Sequence, residues 1–240
     1  MSEKKTRYVV LFDIDGTLLS TGGAGKRCFV ETFREDFSIP APSGDVPFAG
    51  RSDRAIALQL MKLNGVIPSE ENWRRFQTGY CQRIEATLAD CNGCVLPGVV
   101  ELLDGIEQLT HVTIGLLTGN VEHGARAKLS HYGLSERFAF GGFGDKHANR
   151  DDIASAAILA AEQHLAANSN GVSSTHCGTM VIGDTVNDIT CARSIGAYAV
   201  AVATGHASIA ELAATGPDLL LRDLTDTDAL LAEVHSAQIS

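Results

Sequence analysis

The feature that most restricts the fold of this chain is a buried-strand pattern that ends in two carboxylates. Residues 8–17 read Tyr-Val-Val-Leu-Phe-Asp-Ile-Asp-Gly-Thr. The apolar run Tyr8–Phe12 predicts a buried strand. Asp13 at the end of such a strand costs free energy unless a cation or several hydrogen-bond donors compensate its charge. We therefore expect the chemistry of the chain to lie where this strand ends.

Strand-like and helix-like segments alternate along the rest of the chain. Further apolar runs, each followed by helical periodicity, lie at Val112–Leu117, Phe138–Phe143, Met180–Ile182 and Tyr198–Val202, with a short last strand at 217–221. This alternation predicts an α/β fold with a doubly wound, Rossmann-like parallel sheet. In such sheets ligands bind at the carboxyl ends of the strands. Asp13 and Asp15, Thr118, and Asp184 each follow a predicted strand, so we expect them to converge.

The segment between the first strand and the strand at Val112 is too long for one crossover, at about a hundred residues. Amphipathic helical periodicity occurs there at 24–36, 52–64 and 69–90. We interpret residues 20–95 as an inserted helical unit, here called the cap. Residues 1–19 and 96–240 would then form the core. The small, polar residues 168–178 predict an exposed loop within that core.

Charge and hydropathy argue against several classes of function. The chain has 19 Lys and Arg against 29 Asp and Glu, a net charge of −10, whereas general nucleic-acid binders carry basic surfaces. No apolar segment approaches the roughly 18–20 residues of a membrane-spanning helix. The N-terminal Met-Ser-Glu-Lys-Lys lacks the apolar stretch of a signal peptide. We expect a cytoplasmic monomer or homodimer with no nucleic-acid or membrane partner.

The motifs together resemble those of the haloacid dehalogenase-like (HAD) superfamily, in particular its branch of phosphoglycolate phosphatases and phosphomutases with a helical cap. Residues 8–17 resemble the first motif, Leu116–Asn120 the second and Gly183–Asp188 the acidic fourth. The resemblance covers nearly the whole chain. It implies that Asp13 is a nucleophile that becomes an aspartyl-phosphate and that Asp15 is the general acid and base.

The second motif supplies candidate phosphate ligands. In the family, Thr118 would bind phosphate. Its hydroxyl, and the free backbone N–H groups of Gly119 and Asn120 at the start of a predicted helix, suit a phosphate anion. The alternative is that Thr-Gly-Asn only caps that helix.

The acidic residues predict a magnesium site. Carboxylates facing a dianionic phosphate repel it unless a hard cation intervenes, and Mg²⁺ prefers oxygen ligands. Asp13 and Asp184 are the candidate side-chain ligands, and the family adds the backbone carbonyl of Asp15. Asp188, one helical turn after Asp184, could act directly or through water. As alternatives, Asp184 could be an ordinary N-cap, and Asp188 could favour the dipole of its helix.

The third motif departs from the family pattern, because the usual Lys-Pro-x-Pro is absent after 138–143. Lys146 and Arg150 are both available as the basic residue. We choose Arg150, since it immediately precedes a predicted helix, as the family's residue does, and since its guanidinium can bind carboxylate or phosphate with two prongs. The alternative is a surface ion pair of Arg150 with Asp151 or Asp152.

The cap offers one candidate for substrate specificity, Arg51, in the segment Ala-Gly-Arg-Ser-Asp at 49–53. This segment lies between a Pro-rich loop and a predicted helix, and related capped phosphatases use a similar loop for specificity. Ser52 or Asp53 could equally be the N-cap of that helix.

The leading interpretation is a Mg²⁺-dependent phosphatase for a small phosphorylated metabolite, such as phosphoglycolate or a sugar phosphate. A phosphomutase on the same scaffold would need more basic cap residues than Arg51, Arg54 and Lys62 obviously offer. A 2-haloacid dehalogenase needs neither Asp15 nor a metal ligand such as Asp184. A non-enzymatic phospho-acceptor module would need only about half of this chain.

Overall fold

The computed structural model describes residues 5–168 and 174–236 and is built around a parallel sheet of six strands. The strands of the chain are β1 (Lys5–Phe12), β2 (Leu19–Ser20), β3 (Cys94–Val95), β4 (Val112–Leu117), β5 (Gly141–Gly142), β6 (Ser174–Gly183), β7 (Tyr198–Val202) and β8 (Leu219–Leu221). The order in the sheet is β5-β4-β1-β6-β7-β8, and β2 and β3 form a separate antiparallel pair. The chain thus winds from β1 first to one side and then to the other. The predicted doubly wound parallel sheet is confirmed.

Helices cover both faces of the sheet. They are α1 (Ala24–Phe37), α2 (Asp53–Leu63), α3 (Glu70–Ala89), α4 (Val99–Glu107), α5 (Glu122–His131), α6 (Arg150–Ala167), α7 (Val186–Ser194), α8 (Ile209–Ala214) and α9 (Thr227–Ser236), with a 3₁₀ turn at Ser135–Arg137. Val10 and Phe12 of β1 pack into a cluster with α4, α5 and α9. Val9 and Leu11 pack into a cluster with α6, α7 and α8. Since side chains alternate along a strand, a continuous apolar run is needed to fill both clusters.

Several strands differ in length from the prediction. β1 begins at Lys5 rather than Tyr8, and β8 covers Leu219–Leu221 rather than 217–221. β5 is limited to Gly141–Gly142, because only these two residues pair with β4. β6 begins at Ser174 rather than Met180, and its early residues pair with β1 in parallel. The predicted loop at 168–178 is therefore wrong for 174–178, and 169–173 lie outside the described residues.

The three cap helices α1, α2 and α3 share a third apolar cluster, rich in aromatic rings. Phe29 of α1 stacks at an angle on Phe76 of α3, with ring centroids 4.8 Å apart. Val121 and Ala127, at the start of α5 and within it, belong to the same cluster. The helices coincide with the three predicted segments, and they pack against the element that follows β4. The division into core and cap domains stays a prediction.

Among the described residues, 5–168 and 174–236, no helix is both long enough and apolar enough to cross a lipid bilayer.

Candidate active site

Three buried carboxylates come together where β1 and β6 end. Asp13 directly follows β1, and its backbone N–H donates to the carbonyl of Ile182 in β6 at 3.0 Å. Asp184 directly follows β6, and Asp188 lies in the first turn of α7. Each offers a carboxylate oxygen within 4.8 Å of the others. All three residues are at most 5% exposed to solvent. The neighbouring strands thus bring together three residues that are up to 175 positions apart in the sequence.

The electrostatics of this acidic cluster, Asp13, Asp184 and Asp188, favour a bound cation. Burial raises the pKa of Asp13, an effect that Arg150 opposes and that the charges of Asp188 and Asp15 increase. Burial also raises the pKa of Asp184, and the charges of Asp188 and Asp13 add to this. Buried carboxylates with mutual repulsion form a set of hard oxygen donors. The cluster therefore fits a divalent metal ion, which would supply the missing positive charge.

Arg150 lies inside the site and not on the surface. It is the first residue of α6, is 7% exposed, and pairs through its guanidinium with Asp188. The same nitrogen lies 3.6 Å from Oδ1 of Asp13. Lys146, the alternative candidate, is exposed. The structure thus places Arg150 against the acidic cluster, and the surface pairing with the acidic residues that follow it is wrong.

Asp188 has a structural contact as well as its place in the acidic cluster. Its Oδ2 accepts hydrogen bonds from the backbone N–H and hydroxyl of Thr185, at 2.9 and 2.6 Å. Thr185 is the N-cap of α7 and forms a capping box with Asp188. The N-cap interpretation of Asp184 is therefore wrong. Asp184 instead accepts a bond from the hydroxyl of Thr17 at 3.1 Å, which orients its carboxylate.

The Asp15 carboxylate lies apart from the acidic cluster. Its Oδ2 accepts hydrogen bonds from Nζ of Lys128 at 2.5 Å and from Nδ2 of Asn120 at 2.8 Å. The carboxylate of Asp13 thus faces Asp184 and Asp188, whereas that of Asp15 faces the ammonium group of Lys128. Two carboxylates only two residues apart have different surroundings. The assignment of the Asp15 backbone carbonyl as a metal ligand stays a prediction.

Lys128 is a site residue that the sequence analysis missed. It lies on α5 and its side chain is 3% exposed. Burial alone would lower the pKa of Lys128, but the charges of Asp15 and Asp53 raise it above the ordinary value, so the amine stays protonated. A signal was present: Ala125 and Leu129 define the buried stripe of α5, and Lys128 falls on that stripe at helical spacing.

The second motif forms the loop between β4 and α5. Thr118 is fully buried, and its hydroxyl oxygen accepts from Nδ2 of Asn120 at 2.8 Å and from the backbone N–H of Asn120 at 3.3 Å. Gly119 and Asn120 form part of the cavity wall. The N-cap of α5 is Val121, so the interpretation of Thr-Gly-Asn as a helix cap is wrong. Hydrogen bonds between Thr118 and Asn120 thus stabilise the loop. Gly119 and Asn120 are the residues of this loop that line the cavity.

The cap loop at 49–53 touches both the cavity and the core. Arg51 lines the cavity, and its guanidinium donates to the carbonyl of Pro47 at 3.4 Å. Ser52 is the N-cap of α2 and also donates to the carbonyl of Ala148 at 2.8 Å. Asp53 accepts a bond from the backbone N–H of Val121 at 2.9 Å. The N-cap interpretation is confirmed for Ser52, while Asp53 binds across to the core.

These groups surround a cavity of about 380 Å³ between the strand ends and the cap. The core contributes charged and polar walls, among them Asp13, Asp15, Lys128, Arg150 and Asp184. The cap contributes two cations and an apolar wall, formed by Lys26, Arg51, Phe29, Phe48 and Tyr80. A cavity of this size with convergent polar groups suits a small anionic molecule.

Comparison with known proteins identifies a family with this arrangement. The family model described as haloacid dehalogenase-like hydrolase matches residues 10–193. The probable phosphatase IndB of Dickeya dadantii is 28% identical over 222 residues, which are 89% of this chain and 88% of that protein. The phosphoglycolate phosphatase of Synechococcus elongatus is 28% identical over 224 residues, 90% of this chain and 93% of that protein.

Solved structures share the fold. The crystal structure of CbbY from Rhodobacter sphaeroides in complex with phosphate superimposes with a TM-score of 0.64 at 18% identity. The match covers 91% of this chain and 95% of that one. The similarity therefore extends over sheet and cap helices alike.

Proposed function

Because the chain belongs to the haloacid dehalogenase-like hydrolase family, we propose that it hydrolyses a small phosphorylated metabolite with Mg²⁺ through an aspartyl-phosphate on Asp13. The chain is an enzyme of this family, and its curated relatives are named phosphatases. One observation carries the finer proposal. Asp13 stands at the end of β1 with Asp15, Arg150 and Asp184 around the same cavity.

Asp13 is the proposed nucleophile. One of its carboxylate oxygens attacks phosphorus, the bond to the leaving oxygen breaks, and a mixed anhydride of Asp13 and phosphate remains. Asp15 gives the leaving oxygen its proton. Asp15 then takes a proton from the water that attacks the phosphorus of the anhydride. The bond between phosphorus and the Asp13 oxygen breaks, inorganic phosphate leaves, and the carboxylate of Asp13 and the protonated form of Asp15 are restored. The two separate environments of Asp13 and Asp15 support this division of roles.

Arg150 and the second motif are the proposed phosphate ligands. The guanidinium lies close enough to Asp13, at 3.6 Å, to reach a phosphoryl oxygen in line with it. Thr118 contributes its hydroxyl, and Gly119 and Asn120 contribute backbone N–H groups of the loop before α5. The Asn120 N–H, which meets the Thr118 hydroxyl oxygen at 3.3 Å, would turn to the phosphate. Such groups stabilise charge that spreads over the phosphoryl oxygens in the transition state.

Asp13, Asp184 and Asp188 are the proposed side-chain ligands of Mg²⁺, with the backbone carbonyl of Asp15. A bound divalent cation supplies charge neutralisation for the carboxylates and the phosphoryl group. The raised pKa values of Asp13 and Asp184, which burial causes first and the neighbouring carboxylates increase, support the proposal, since a bound cation would stabilise the charged forms. Thr17 keeps Asp184 directed into the site.

The cap supports a phosphatase more than a mutase. Two cap cations, Lys26 and Arg51, line the cavity, whereas Arg54 pairs with Glu70 at 2.5 Å and Lys62 is exposed near the end of α2. We propose that the cap, residues 20–95, is an inserted domain that closes over the substrate. A phosphoglycolate-like or sugar-phosphate-like substrate agrees with the cavity size and with the name of the Synechococcus relative.

The test is release of inorganic phosphate from a panel of phosphorylated metabolites, with Mg²⁺ and with excess chelator. We expect selective turnover of one or a few small esters, dependent on Mg²⁺. Asp13→Asn should abolish it, while Asp45→Asn, an exposed cap-loop carboxylate, should behave as the wild type. Full activity of Asp13→Asn, or full activity in chelator, would overturn the proposal.

A further inference from the structure

We propose that Lys128 is a positioning residue that holds Oδ2 of Asp15, so that the opposite oxygen, Oδ1, is the one that exchanges the proton with substrate and water. The inference rests on the proposed function, because it concerns the residue assigned there as general acid and base. It adds a residue on α5, outside the motifs that the sequence analysis found.

Two donors converge on one oxygen of Asp15. Nζ of Lys128 lies 2.5 Å from Oδ2, and Nδ2 of Asn120 lies 2.8 Å from the same atom. The Asp15 side chain is 41% exposed at the cavity, so without these donors its carboxylate would rotate freely. With Oδ2 held from the α5 side, Oδ1 is directed to the cavity. A fixed proton donor of this kind is worth far more to catalysis than a mobile one.

The same donors connect the acid to the phosphate loop. Lys128 also donates to Oδ1 of Asn120. Nδ2 of Asn120 donates in turn to the hydroxyl oxygen of Thr118 at 2.8 Å. Asp15 follows β1 and Thr118 follows β4, so this network fixes the distance between the leaving-group end and the phosphate end of the substrate. Lys128 thus connects α5 to Asp15 and, through Asn120, to Thr118.

Packing does not account for a lysine at this position. Ala125 and Leu129, its neighbours on the buried stripe of α5, are fully buried, and an apolar residue would continue the stripe. A buried ammonium is costly unless it is paired and hydrogen-bonded. Lys128 meets that condition through Asp15 and through the nearby charge of Asp53, which the cap contributes. Lys128 and both of these carboxylates line the cavity, which is where the proposed reaction takes place.

A purely structural role for Lys128 and a positioning role predict different effects of its substitution. If the role were structural, substitution would reduce the stability of the protein, or would reduce the activity on every substrate equally. A positioning role acts through Asp15 alone, so its loss affects the substrates that need protonation of the leaving oxygen. Esters with a good leaving group, such as p-nitrophenyl phosphate, form the phosphoenzyme without that proton.

The experiment compares Lys128→Met with wild type in single-turnover phosphorylation with Mg²⁺, using an alkyl phosphate from the accepted panel and p-nitrophenyl phosphate. We expect a loss of about 10- to 100-fold for the alkyl ester, as for a misplaced catalytic group, and a several-fold smaller loss for the aryl ester. The same substitution in an Asp15→Asn background should cost nothing further. Arg126→Met, which removes an α5 cation that binds the Phe138 carbonyl outside the cavity, should leave the ratio of the two rates unchanged.

Equal losses for the two esters, or a full additional loss in the Asp15→Asn background, would overturn the inference. Lys128→Leu, which also lacks a donor, replaces Lys128→Met with the same expectations if the methionine variant does not fold. The proposed function is judged separately: it fails if wild type releases no phosphate or if Asp13→Asn keeps its activity, whatever the Lys128 variants do.

Discussion

The carboxylate of Asp53, in the first turn of α2, accepts a hydrogen bond from the backbone N–H of Val121 at 2.9 Å. The backbone N–H of Asp53 donates in the opposite direction, to the carbonyl of Gly119 at 2.7 Å. The pair joins the cap to the loop that carries the proposed phosphate ligands. Because Asp53 is buried, water competes little for these bonds, and the contact holds the cap over the cavity.

The stability of this contact should depend on pH. Burial raises the pKa of Asp53 to about 7 from the ordinary 3.8, although Lys128 and the Val121 N–H oppose the rise. Between these two values the folded protein binds a proton that the unfolded chain does not, so the contribution of Asp53 to stability is complete below pH 4 and is lost as pH rises through 7.

Asp53→Asn tests this dependence, because the amide oxygen can accept the same bond but cannot ionise. From pH 5 to pH 8 the free energy of unfolding of the metal-free wild type should fall by about 2 kcal/mol more than that of the variant. Chemical denaturation at the two pH values measures it. An identical pH dependence for both proteins would show that Asp53 does not titrate in this range.

Asp13→Asn should reduce turnover by at least about 10³-fold and leave the fold intact. The amide is nearly isosteric but is a poor nucleophile. It also removes one charge from a cluster in which burial and repulsion already raise the pKa of Asp13. The metal-free variant should therefore unfold at a higher temperature than metal-free wild type at pH 8. Phosphate release and thermal unfolding measure the two effects, and a variant that is both active and less stable would contradict both.

Mg²⁺ should stabilise the protein more at pH 8 than at pH 5. Burial raises the pKa values of Asp13 and Asp184, so at pH 5 protons occupy the carboxylates that the cation needs. Thermal unfolding with and without millimolar Mg²⁺ measures the shift at each pH. Asp184→Asn should lose most of the shift at pH 8, whereas Asp226→Asn, a substitution near the start of α9 and away from the cluster, should keep it. A shift of the same size at both pH values would argue against binding by these carboxylates.

β4 and β7 begin and end where the sequence predicted. Most residues of each strand are apolar, and each strand pairs with a neighbour on both sides in the sheet. β6 begins earlier than predicted because residues 174–178 are small or polar, and their strand conformation depends on pairing with β1. β5 is shorter because only Gly141 and Gly142 pair with β4. Strand pairing is a tertiary effect that a local pattern does not contain.

The same distinction applies to the site. Asp13 and Asp184 were predictable because each follows an apolar strand directly, and parallel strands bring their carboxyl ends to one edge. The burial of Lys128 could be predicted from helical spacing, but its role could not, because the role depends on a contact with Asp15, 113 residues away. Arg150 lies between these cases. Its position before a helix was visible in the sequence, but its pairing with Asp188 depended on how α6 and α7 meet.

Arg51→Ala should change which substrates are used more than how the phosphate is cleaved. Arg51 lies in the cap and lines the cavity, and its guanidinium contacts only a backbone carbonyl, at 3.4 Å, among the hydrogen bonds found in the described residues. The core already supplies the nucleophile, the acid and the phosphate ligands. A cap cation can therefore discriminate by contacting the part of the substrate remote from phosphorus.

The preferred metabolite should lose about 1–3 kcal/mol in kcat/KM when this charge-assisted contact is removed, and p-nitrophenyl phosphate, which lacks the remote group, should be hydrolysed nearly as before. Arg74→Ala is the matched control, since Arg74 is a cap arginine whose side chain is 75% exposed. Steady-state kinetics with both substrates decide the matter. Equal losses for the two would move Arg51 to the catalytic residues or to cap folding, because a contact with the remote group cannot affect an ester that lacks it. No loss for either would make Arg51 an ordinary surface cation.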